Sequence, residues 1–186
     1  MSESLRDTIG VVELNSIAAG FLTADEMVKV APVSLLEAAP VCPGKFVILV
    51  AGDVASVDAS VKKGLETGGA FVVDQLFLPY VDPGVFPALL GTSDVREIEA
   101  IGVIETFSVA ATIAAADRAA KTAKVRLIEI RVAKGLGGKG YVSFTGEVSD
   151  VESSVRAGEE AAKERGLLVK GIVIPRPHKD FSARIL

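Results

Sequence analysis

Cysteine occurs once in this chain of 186 residues, histidine once and tryptophan not at all. One cysteine excludes an internal disulfide and agrees with a reducing compartment. One histidine, His178, excludes zinc sites built from several histidines of a single chain, and a Ser-His-Asp triad would have to use it. The formal net charge is −4 with no basic cluster, which makes nucleic acid a poor partner. Apolar residues make up 49% of the sequence and the mean hydropathy is +0.44. Even so, no apolar run approaches the roughly 18 residues of a membrane-spanning helix. High hydropathy without a span points to surface buried between subunits. The opening MSESLRDT lacks the basic and apolar regions of a secretory signal, so the expectation is a cytosolic protein.

What the sequence does have is repetition. Ile9 to Ala39 reads IGVVELNSIAAGFLTADEMVKVAPVSLLEAA, and Ile101 to Arg131 reads IGVIETFSVAATIAAADRAAKTAKVRLIEIR, with nearly half of the positions identical and no gap. The match resumes at GKFVILVAGDVASVDASV (Gly44 to Val61) against GKGYVSFTGEVSDVESSV (Gly138 to Val155), after a loop two residues longer in the second copy. The shorter loop, Ala39-Pro40-Val41-Cys42-Pro43-Gly44, carries the lone cysteine. A duplicated framework that diverges at one loop suggests a common scaffold with a specialised site. The expected division is a first domain over residues 1–90, a polar linker over 91–100 and a second domain over 101–186.

Each copy shows the same order of elements. Ile9 to Glu13 is short, β-branched and apolar, hence a strand, and Ser16 can cap an Ala-rich helix to about Val30. Val33 to Ala38 and Lys45 to Ala51 read as strands, with the Pro-Cys-Pro-Gly segment turning between them. Asp53 can cap a second helix whose Val54, Val57, Val61 and Leu65 recur at helical spacing, with Gly68 and Gly69 to end it. Phe71 to Leu78 reads as a fourth strand and Asp82 to Leu90 as a short helix or loop. The fold class is therefore α+β, a ferredoxin-like βαββαβ order twice over.

Few residues carry recognisable chemistry. Cys42 on its own reads as a small buried hydrophobe before it reads as a ligand, because free cysteine is among the most buried residue types. A cubane iron–sulfur cluster needs several converging thiolates, which one chain cannot supply and a symmetry axis can. Pro40 and Pro43 stiffen the loop and Gly44 lets it turn. Gly135-Leu136-Gly137-Gly138-Lys139-Gly140 matches G-x-G-x-x-G, but a strand is expected after it where the dinucleotide fingerprint requires a helix. Glu13 and Glu105 are equivalent positions at strand ends, read as bonding the helix that follows. Lys29 and Lys121 sit at equivalent helix ends, where a cation suits the helix dipole. No nucleophile-and-base constellation appears, so no enzyme is expected.

Several stretches together resemble the tandem-domain shell proteins of bacterial microcompartments. They are IGVVELNSIAAGFLTADEMVKVAPV, the turn at Gly52 to Val57, VIPRPH at Val173 to His178, VCPGKF at Val41 to Phe46, and GLGGK at Gly135 to Lys139. The resemblance spans both copies in order, with no circular permutation evident, and is nearest to the iron–sulfur shell protein type of the propanediol-utilisation compartment. It implies a homotrimer forming a flat pseudohexameric tile in the shell of a cytoplasmic microcompartment, alongside other shell proteins. It also implies a threefold pore lined by Pro40, Val41, Pro43 and Gly44 of one copy and Gly135, Leu136, Gly137 and Gly138 of the other. That pore would hold one 4Fe–4S cluster per trimer through Cys42, with an encapsulated or cytosolic redox protein as partner. Lys29, Lys121 and Arg176 would lie at the tile edge; the first copy has Leu78-Pro79-Tyr80-Val81-Asp82 where the second has its arginine. The rival readings are a metal-free metabolite pore and, further off, a small-molecule-binding regulator.

Overall fold

A computed structural model describes residues 7–132 and 135–185; the MSESLRDT start lies mostly outside them. Contacts divide the chain into two units, one from residues 1–81 with 133–138 and one from 82–132 with 139–186.

The first unit contains β1 (Thr8–Leu14), α1 (Ile17–Val30), β2 (Ser34–Val41), β3 (Lys45–Gly52), α2 (Val54–Gly68) and β4 (Val72–Leu78). Its sheet runs β2-β3-β1-β4, with every neighbouring pair antiparallel. Ser16 caps α1 by accepting from the Ala19 N–H at 3.3 Å, and Asp53 caps α2 by accepting from the Ser56 N–H at 2.9 Å. The Ser56 hydroxyl and N–H together hold the Asp53 carboxyl below the usual carboxylate range. This cap therefore stabilises the fold above the unfolded carboxylate pKa and is lost as the pH falls through the lower folded value. Gly69, at φ 49°, ends α2 and returns its N–H to the Leu65 carbonyl. The core is made by Val12, Leu14, Met27, Phe46, Ile48, Val50, Val57 and Val61.

The second unit repeats the plan with β5 (Ala100–Thr106), α4 (Val109–Thr122), β6 (Arg126–Val132), β7 (Gly140–Gly146), α5 (Val148–Glu164) and β8 (Leu168–Ile174), in sheet order β6-β7-β5-β8. Ser108 caps α4 through the Ala111 N–H at 3.0 Å, as Ser16 does in the first unit. A last helix, α6 (Lys179–Ile185), follows β8.

The segment that sequence reading assigned to the end of the first domain behaves differently. Asp82 and α3 (Val85–Leu90) belong to the second unit and pack on β6. Val85 is 0% and Leu127 of β6 is 5% exposed, so apolar burial holds the segment there. Asp82 fixes its start: its N–H donates to Asp117 Oδ1 at 2.8 Å, and its own carboxylate accepts from the Gly84 N–H at 2.8 Å.

Candidate functional site

The turn joining β2 to β3 is shorter than sequence reading expected. Pairing continues to Val41 opposite Lys45, and the Gly44 N–H donates to the Val41 carbonyl at 3.0 Å. Only Cys42, Pro43 and Gly44 remain outside the strands, all three exposed. Pro40 and Val41 are thus residues of β2, and Val41 is 6% exposed, its side chain committed to the core. A proline is tolerated at that point because β2 is an edge strand with one neighbour. Gly44 takes φ 86°, the left-handed conformation that lets so tight a turn close. The Cys42 thiol is free and exposed rather than packed away as a hydrophobe.

The glycine-rich loop of the other copy comes to the same place. Gly135, Gly137 and Gly138 have φ of 75°, 62° and 85°, and with Leu136 they form a turn in the first unit. A methyl group on Gly138 would stand 2.9 Å from Pro43 Cδ and 3.0 Å from the Cys42 carbonyl oxygen, so this backbone lies directly against the cysteine turn. The loop leads into strand β7 and not into a helix, so its G-x-G-x-x-G pattern lacks the helix N-terminus that a pyrophosphate requires.

Both loops stand on ion pairs that sequence reading missed. Lys45, the residue after the cysteine turn, reaches Glu13 on β1 at 3.6 Å, and Glu13 is wholly buried. Lys139, the residue after the glycine loop, donates to Glu105 on β5 at 2.7 Å in a more open setting. Glu13 thus binds the first residue of β3 and Glu105 the residue just before β7, while the helices that follow are capped by Ser16 and Ser108. The signal was available, since glutamate and lysine are both duplicated at matching places in the two copies. Tyr141 on β7 adds a bond to Glu129 Oε2 at 2.6 Å, and burial, with that carboxylate beside it, pushes the phenol up from its ordinary pKa.

Lys45→Met should destabilise the protein by about 2 kcal/mol or more, because a buried carboxylate loses its cation. Lys139→Met should cost under about 1 kcal/mol, because its pair is largely solvated. Denaturant unfolding of the two variants checks the contrast; equal losses would show that the burial of Glu13 does not matter.

The expected edge residues are exposed but not idle. Lys29 pairs with Asp25 and Glu26, and those carboxylates, Asp25 first, hold its ammonium above the usual lysine range. Lys121 pairs with Asp117 at 2.8 Å, the same carboxylate that anchors Asp82. Arg176 is exposed between β8 and α6, and its counterpart Tyr80 is 70% exposed in a left-handed conformation, φ 54°.

Comparison with known proteins agrees with the geometry. The sequence matches the BMC domain family over residues 8–81 and again over 100–177. It is 45% identical, over 95% of this chain and 96% of the relative, to the bacterial microcompartment shell protein PduT of Citrobacter freundii. It is 31% identical to the carboxysome assembly protein CcmO of Synechococcus elongatus, over 93% of this chain and 66% of that protein. Among solved structures, a microcompartment protein from Desulfitobacterium hafniense DCB superposes with a TM-score of 0.88 at 51% identity, over 95% of this chain and 98% of that one. A fused permuted hexameric shell protein of the RMM microcompartment shares the fold at a TM-score of 0.62 and 17% identity. No described helix is long and apolar enough to cross a membrane. With two matched domains and a related shell protein aligned almost end to end, the chain belongs to the BMC-domain family of bacterial microcompartment shell proteins, in its tandem form.

Proposed function

We propose that three copies of this chain form a pseudohexameric shell tile whose central opening is lined by the Cys42 turns and holds a 4Fe–4S cluster. The observation that carries the reading is the exposed Cys42 thiol at the tip of a three-residue turn, braced on one side by the Gly135–Gly138 loop. The donor set fits only a shared site. Among the described residues no three of His, Cys, Asp and Glu are placed to hold a metal within one chain, so the thiolates have to come from several copies. Three Cys42 thiolates would bind three irons and leave the fourth to water or an outside ligand. When bound, the cluster would supply one-electron chemistry at the shell, with an encapsulated or cytosolic redox protein as the exchange partner. Protein purified without oxygen should be coloured and contain iron in proportion to trimer; colourless, iron-free trimers would favour an open metabolite pore.

The same reading assigns Lys29, Lys121 and Arg176 to contacts between tiles. Lys121 also neutralises Asp117, which is nearly buried, so an aspartate there would disturb the fold as well as the edge. Alanine is the cleaner probe. Lys29→Ala with Lys121→Ala and Arg176→Ala should lose some stability, because Asp117 gives up its cation and keeps only the Asp82 N–H, yet should still form trimers and suppress their assembly into sheets. Sheets formed by the triple variant as readily as by the wild type would return these residues to the solvated surface.

A further inference from the structure

Residues 82–99 lie between the two stretches that match the BMC domain family. They fold against the start of β6 and form with it an open cavity of about 250 Å³, lined entirely by the second unit. Pro87, Val95 and the nearly buried Leu127 give it an apolar wall. Three polar side chains line the same cavity, and each has bonding capacity left over. Ser93 Oγ is buried and has no hydrogen-bond partner among the described residues. Asp82 accepts from the Gly84 N–H through Oδ1, and among the described residues no cation pairs with it. Arg126 donates through Nη2 to the Glu97 carbonyl at 3.0 Å, and no carboxylate among the described residues takes its other donors. Asp94, the other acid of the cavity, is already answered by Arg96 through bonds of 2.9 and 3.1 Å.

We propose that this cavity is a binding site for a small zwitterion, an ammonium and a carboxylate joined by a short aliphatic chain. The ammonium sits on Asp82, the carboxylate on Arg126, and the Ser93 hydroxyl makes a further hydrogen bond to the ligand. The chemistry follows from what is unsatisfied. A carboxylate and a guanidinium share one cavity without forming an ion pair, so a ligand that carries both charges answers both. A ligand of single charge would meet one opposite charge and one like charge. A buried hydroxyl without a partner is unfavourable, and an occupant that bonds to Ser93 relieves it. The Asp82 backbone is held by Asp117 at 2.8 Å, so the acid is positioned before anything binds. The volume is at the small end for ligand pockets, which suits a short amino acid and not a nucleotide. Arg126 opens β6 and the glycine loop follows the other end of that strand, so the site shares no residue with the Cys42 turn or its brace. Occupancy would fasten the segment connecting the two domains to β6.

Equilibrium dialysis of the full chain against labelled glycine, β-alanine and 4-aminobutanoate tests the site. At least one of the three should bind saturably, one per chain, with butylamine and butanoate weaker as competitors by about tenfold or more. Asp82→Asn and Arg126→Gln should each weaken binding by about tenfold or more, because each removes one charge-assisted contact. Both variants should stay folded: asparagine keeps an oxygen for the Gly84 N–H, and Arg126 is exposed. Cys42→Ser should bind as the wild type does, which separates this site from the cluster. The proposal is overturned if none of the three zwitterions binds at millimolar concentration, if butylamine or butanoate competes as well as they do, or if the two charge variants keep the wild-type affinity.

Discussion

Gly20→Thr is expected to destabilise the first unit by about 3 kcal/mol or more, and adding Phe46→Gly should cost much less than the sum of the two single changes. A Cβ at Gly20 would stand 2.2 Å from Phe46 Cγ and 2.5 Å from Phe46 Cβ. A change of the Cα–Cβ torsion would move Cγ but not Cβ, so the backbone has to give, and overpacking of this kind costs about 1–3 kcal/mol before helix distortion is added. Phe46→Gly alone removes a ring that is 1% exposed, a loss of about 3–5 kcal/mol by analogy with aromatic truncation. The second copy shows the alternative solution. Its counterparts are Thr112 and Gly140, with the bulk on the helix and the glycine on the strand; a Cβ on Gly140 would stand 2.3 Å from the Thr112 hydroxyl oxygen. Thr112 also settles its hydroxyl on the Ser108 carbonyl at 2.8 Å, a bond that the Ser16 carbonyl could offer in turn. The two copies thus fill one place in the core from opposite sides, and a double-mutant cycle read by thermal or denaturant unfolding measures that exchange. Strict additivity would show that the two positions do not share one space.

That exchange explains why the fold was so legible. The repeat preserved what local physics requires in both copies: Ser16 and Ser108 as caps, β-branched strands, and apolar helix positions that recur at helical spacing. Those features predicted the element order because each acts within a few residues of itself. The turn at Cys42 was read too long for a similar reason: Pro40 looks like a breaker, and only pairing with Phe46 and Lys45 on β3 shows that the strand runs through it. Long-range choices were illegible. Nothing local in Asp82 to Leu90 says that it packs with the second unit, since that depends on Leu127 and Asp117 lying within reach. The lysine partners of Glu13 and Glu105 are of the same kind, visible as a duplicated pair of residue types but assigned only by strand register.

Cys42→Ser is expected to remove iron binding and visible absorption altogether while leaving the assembled protein intact. The serine fits without strain because residue 42 is exposed on the turn, and the strands on either side are held by Val41, Lys45 and Glu13 rather than by the thiol. A hydroxyl at this place remains protonated at neutral pH and is a poor replacement for thiolate, so the loss should be complete and not graded. With one thiol per chain, three chains leave one iron without a protein sulfur, which has its own consequence. The centre should be more easily lost than one held by four cysteines, and an added small thiol should change the electron-resonance signal of the reduced protein, because ligand identity and solvent exposure tune such centres. Gly138→Ala offers an independent check on geometry. Its methyl group would press on Pro43 and on the Cys42 carbonyl, and its φ of 85° disfavours any side chain, so the turn should shift and iron retention should fall without loss of the thiol. Iron assay and absorbance after anaerobic reconstitution, with oligomer mass measured alongside, decide the matter. Wild type that holds no more iron than the serine variant would end the cluster reading and leave an open pore, with Cys42 at its rim, as the function to pursue.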